Sequence, residues 1–74
     1  MLDFTEIMNR IKRVLFEESG KRIYDKDIAK ALGFEASYYA VIKRRKRVPY
    51  RAIALFANEK EISLNWIFFN KKVS

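Results

Sequence analysis

Five cations in unbroken order, Lys43, Arg44, Arg45, Lys46 and Arg47, follow the apolar lead Ala40, Val41 and Ile42 and precede the chain's only proline, Pro49. Like charges three or four apart on a helix repel by roughly a few tenths of a kcal/mol per pair, so folding stability does not ask for this run. Ammonium and guanidinium groups do one thing well, which is to attract anions and donate hydrogen bonds to them. Other chemistry has few tools. The chain has no histidine and no cysteine, which removes the commonest general base, the thiol nucleophile, disulfides and Cys/His metal sites. The carboxylates are scattered, the neighbours Glu17/Glu18 and Glu59/Glu61 read as solvated surface, and Ser37 has no His base to activate it. No catalytic residue, cofactor or metal site is expected.

The net charge of +7 is concentrated. Residues 1–35 hold seven basic and seven acidic side chains, 36–58 hold six and none, and 59–74 hold three and two, giving 0, +6 and +1. A field confined to one stretch draws a polyanion to one face of the molecule.

The elements that must position these cations follow from apolar spacing. A chain of 74 residues makes a single domain, 1–74, with a thin core, since folding at that size buries only ~60% of the unfolded chain's surface. Phe4, Ile7, Met8, Ile11, Val14 and Leu15 recur at helical steps, with Arg10, Lys12, Arg13 and Glu17 outside that face. Asp3 can cap this first helix while Glu6 reaches back and Leu2 packs on Ile7, and Gly20 stops it. A second helix opens with Asp25 and Asp27, buries Ile28, Ala29 and Leu32, and ends at Gly33, where a positive φ permits a sharp turn. The third runs over about 36–45. Pro49 suits the first turn of a fourth, whose apolar side is Tyr50, Ile53, Ala54, Phe56 and Ala57 and which ends near Lys60. Ser63 caps a short fifth containing Leu64, Trp66, Ile67 and Phe69. The expected class is all-α with five short helices and no strand, linker or repeat. No apolar run approaches the ~20 residues of a spanning helix. The opening Met1, Leu2, Asp3 places acid where a signal peptide carries basic residues, so a cytoplasmic location is expected.

On a helical wheel with Ala36 at zero, Ala40, Arg44, Ser37 and Val41 fall at about 40°, 80°, 100° and 140°, and Tyr39 and Ile42 lie opposite at about 300° and 240°. Small side chains dominate the outer face, which lets the helix approach another surface closely. A DNA major groove about 12 Å wide accepts such a helix. There Arg44 can donate two bonds to guanine, Ser37 can bond a base or phosphate, and Ala40 or Val41 can touch a thymine methyl. Lys43, Arg44, Arg45, Lys46 and Arg47 would lie beside phosphates, a surface denser in negative charge than any acidic protein. The expected DNA-contacting set is these five with Ala36, Ser37, Tyr38, Ala40 and Val41. A plainer explanation exists for some of them: a helix C-terminus favours Lys43, Arg44 and Arg45 by ~0.3–1 kcal/mol each. Tyr39 reads as core, and Tyr38 as either a boundary residue or a phosphate donor.

The stretch "DIAKALGFEASYYAVIKRRKRVPYRAIALFANEKEISLNWIFF" resembles the helix-turn-helix domain of lambda-type phage repressors. The likeness covers residues 4 to about 70, with the helix-turn-helix at about 25–45. It is carried by Ala29 where two helices cross, Gly33 in the turn, Val48, Pro49 and Tyr50 at the fourth helix, and Ile62, Ser63, Leu64 and Trp66 near the end. This chain departs from the pattern at Asp25, where Gln, Ser or Thr is common, at Glu35 before the recognition helix, and at Asn65. Phe68 and Phe69 are also bulkier than the pattern expects.

The resemblance implies a homodimer on a palindromic operator, with recognition helices in major grooves ~34 Å apart. The leading expectation is a sequence-specific, double-stranded DNA-binding transcriptional regulator, a repressor acting by occupancy, either stand-alone or as the DNA-binding part of a longer protein. The alternative is a protein-interaction module, an antitoxin or anti-repressor partner on the same scaffold. A membrane-surface peptide needs lysines opposite a broad apolar face on one helix, whereas this basic run spans a helix end and a turn.

Overall fold

Local signals place each helix, and a computed structural model describes residues 2–71. Asp3 accepts from the amides of Thr5 (2.8 Å) and Glu6 (3.3 Å) and opens α1, Phe4–Ser19. The reciprocal bond expected from Glu6 is not made, so Asp3 alone caps the end. Gly20, at φ 69°, closes α1 by donating to the Phe16 carbonyl at 2.7 Å. α2, Asp25–Ala31, is fixed at its start by Asp27, whose carboxylate accepts from the Tyr24 amide at 2.8 Å. At its far end Gly33 takes φ 79°, and the Phe34 amide reaches back to the Ala29 carbonyl at 2.8 Å. α3, Ala36–Arg44, begins at once. α4, Tyr50–Lys60, follows Pro49, which flanks the helix as its cap instead of occupying the first turn. α5, Leu64–Phe69, is capped by Ser63, whose hydroxyl accepts from the Trp66 amide at 3.3 Å.

The five helices share one core. α1 contributes Phe4, Ile7, Met8 and Ile11, α2 contributes Ile28 and Ala29, α3 contributes Tyr39 and Ile42, α4 contributes Ile53, Phe56 and Ala57, and α5 contributes Ile67. Ile23 and Leu32, on the connections, complete it. Each large side chain so buried favours folding by ~1.5–3 kcal/mol. α1 packs on α2 and α5, and α2 packs on α3, with Ala29 of α2 only 1% exposed. On α3, Tyr39 and Ile42 are buried in this core while the opposite side of the helix is open to solvent. Among the described residues the structure is all-helical, with no strand and no helix long and apolar enough to cross a membrane.

Two side chains leave their expected places. Arg10, assigned to the solvent side of α1, donates to the Ile67 carbonyl at 2.6 Å. α5 has no basic residue in its own last turn, so the guanidinium from α1 supplies the cation that a helix C-terminus favours. Tyr50 is 56% exposed and not part of the core, because it sits at the open end of α4 with its ring edge-on to Phe68, centroids 5.8 Å apart.

Candidate nucleic-acid interface

α3 divides into two sides as its apolar spacing dictates. Tyr39 and Ile42 are 2% and 4% exposed and anchor it, with the Tyr39 ring 6.4 Å from that of Phe4. Burial, reinforced by the Asp25 carboxylate, pushes the Tyr39 phenol up to about 12. Opposite them Ala36, Ser37, Ala40 and Arg44 are exposed, so a strip of small side chains faces solvent with one guanidinium in it. Val41, expected on that strip, is half-buried and sits at its margin. Tyr38 is 52% exposed, its ring T-shaped against Phe34 at 5.0 Å, so it is a boundary residue with its apolar body partly engaged. Glu35 flanks the start of α3 and makes no side-chain bond to the first-turn amides.

The end of α3 is shaped by a lysine in an unusual conformation. Arg45 caps the helix and Lys46 follows at φ 55°, the left-handed region. The Lys46 amide donates to the Lys43 carbonyl at 3.2 Å and the Arg47 amide to the Ile42 carbonyl at 3.0 Å, the paired bonds of a Schellman stop. α2 ends with the same device, but there the left-handed residue is Gly33. A side chain in that region costs on the order of 1 kcal/mol relative to glycine. The turn thus keeps a cation where local backbone preference would put none, and Arg45, Lys46 and Arg47 all emerge exposed at one end of the outward strip.

Of the six cations between 36 and 58, only Lys43 has a carboxylate partner among the described residues: its Nζ lies 2.6 Å from Asp25 Oδ2. The other ion pairs, Arg13 with Glu17 and Lys60 with Glu18, lie elsewhere. Lys46 Nζ donates to Thr5 Oγ1 at 3.3 Å, which ties the turn to the start of α1. The guanidinium groups of Arg44, Arg45, Arg47 and Arg51 make no hydrogen bond or ion pair among the described residues. All ten residues singled out from the sequence therefore lie on α3 or its terminal turn. Sequence reading missed the partners Asp25 and Thr5, 18 and 41 positions away, because nothing local brings them to the basic run. The described residues contain no cluster of three or more His, Cys, Asp or Glu side chains suited to a metal ion.

The arrangement can hold an extended anion along one edge while a narrow helix face meets whatever lies between its charges. The chain matches no protein-family model, no curated protein and no solved structure.

Proposed function

We propose that this protein is a sequence-specific, double-stranded DNA-binding transcriptional regulator that acts in the cytoplasm as a repressor by occupancy. In this reading α2, the Gly33 turn and α3 form a helix-turn-helix of the lambda repressor type, with α3 as the recognition helix. The observation that carries the reading is the outward side of α3: Ala36, Ser37, Ala40 and Arg44 exposed, Tyr39 and Ile42 buried behind them, and exposed Arg45 and Arg47 at the end, without a carboxylate partner among the described residues. Arg44 donates in bidentate fashion to guanine O6 and N7, Ser37 bonds a base edge or phosphate, and Ala40 contacts a thymine methyl. Arg45, Lys46 and Arg47 neutralise backbone phosphates, which holds the helix in register without reading sequence. The function is binding without catalysis and needs no cofactor.

A palindromic operator requires two copies. Tyr50, Phe68 and Phe69, with ring centroids 5.8 and 6.2 Å apart in succession, form an aromatic patch that a duplex does not need and a second copy can cover. The same patch favours a second reading, a protein-interaction module of the antitoxin or anti-repressor kind. Selection of fragments from a random duplex pool by the purified protein separates the two. Enrichment of a two-fold related motif is the expected result, and no retention of any duplex at low salt would favour the protein-interaction module.

A further inference from the structure

Asp25 does more than start a helix. The neighbouring Asp27 already provides the side-chain bond that fixes the start of α2, accepting from the Tyr24 amide at 2.8 Å. The Asp25 carboxylate turns instead to α3 and holds Lys43 at 2.6 Å. The pair sits in a cleft of about 170 Å³ between α1, α2 and α3, where Lys12, Lys43 and Lys46 are brought together and Asp25 is the only acid in the lining. Three ammonium groups around one carboxylate leave an excess of positive charge, and both members of the pair are about half exposed, so a second anion can reach Lys43 from solvent.

We infer that Asp25 is a built-in competitor for backbone phosphate, withholding Lys43 from a bound duplex; this rests on the DNA-binding reading above. A phosphodiester oxygen can recruit Lys43 only by displacing the Asp25 carboxylate. Exposed pairs shift equilibria by less than about fivefold, so the displacement is feasible but reduces what Lys43 contributes. Asp25 thereby caps the sequence-independent part of the affinity, the part that grows with each cation meeting a phosphate. Among the described residues Arg44, Arg45 and Arg47 have no such internal rival.

The test is a fluorescence-anisotropy titration of a random-sequence duplex at several salt concentrations, using the full chain as wild type, Asp25→Asn, Lys43→Ala and the double variant. Asp25→Asn should tighten binding two- to fivefold and steepen the slope of log K against log salt by up to about 0.9, the amount one more neutralised phosphate contributes. In the Lys43→Ala background the same substitution should change affinity by much less. No gain from Asp25→Asn, or an equal gain in both backgrounds, overturns the inference, the latter because Asp25 would then act by general repulsion. Wild type that binds but ignores the substitution removes this inference alone, whereas wild type that binds no duplex at low salt removes the DNA-binding reading with it. If Asp25→Asn does not fold, Asp25→Ser, which keeps a residue suited to a helix start, serves in its place.

Discussion

Lys46 bears two costs that an ordinary surface lysine does not: cationic neighbours on both sides and a left-handed backbone. Both are of order 1 kcal/mol or less, and among the described residues neither is offset by an ion pair, since the Lys46 ammonium meets the Thr5 hydroxyl and no carboxylate. Lys46→Gly should therefore raise the unfolding free energy by up to about 1 kcal/mol in urea titration while flattening the salt slope of duplex binding by about 0.9. A stability loss would show that the lysine is there for the fold. Tyr39 gives a second prediction at this scale. Its folded phenol keeps the proton to about 12, whereas an unfolded tyrosine loses it near 10, so the folded state binds more protons in that window. Stability from this group is complete below pH 10 and falls as pH rises toward 12. The Tyr39→Phe variant should lack that alkaline component, so its unfolding profile should diverge upward from the wild type above pH 10. Parallel profiles would contradict this.

Caps and stops, more than helix propensity, set the elements. α5 has six residues, too few to be stable alone, and relies on Ser63 at its start, Ile67 in the core and Arg10 on its carbonyl end. Ser63→Ala should cost about 1 kcal/mol of global stability by denaturant titration, with no change in the α2–α3 pair. An unchanged midpoint would mean that core packing alone holds α5. At this scale most of the fold was legible. Helical spacing and the signals at Asp3, Gly20, Gly33 and Ser63 placed five helices, and the wheel for α3 separated Tyr39 and Ile42 from Arg44 correctly. Arg10 was not legible, because a cation on the polar side of α1 gives no sign that a helix 57 residues away ends within its reach. The Lys43 pair with Asp25 escaped for the same reason. On the wheel Lys43 lies about 40° from Tyr39, on the edge facing α2, but an edge position names no partner. Tyr50 misled because its spacing matched the apolar side of α4 while its place at the helix end left it covered only in part, by the edge-on Phe68 ring.

For the molecule as a whole, segregation of charge matters more than its sum. The segment 36–58 carries +6 of the net +7, and among the described residues all but one of its cations lack a carboxylate partner. The aromatic patch at Tyr50, Phe68 and Phe69 belongs to the same scale, since a dimer would set two such charged edges at a fixed separation. Substituting Phe69, which is 55% exposed, with Lys should shift sedimentation equilibrium toward monomer and weaken palindromic sites far more than half-sites, without loss of fold. Unchanged mass would place the contact elsewhere. The proposal that the outward side of α3 reads a duplex is tested most directly by anisotropy titration of wild type and Arg44→Ala on the selected duplex and on a scrambled one. A loss of about 1–3 kcal/mol for Arg44→Ala on the selected duplex, with little change on the scrambled one, is predicted. Equal losses on both duplexes, or no preference by the wild type, would contradict it.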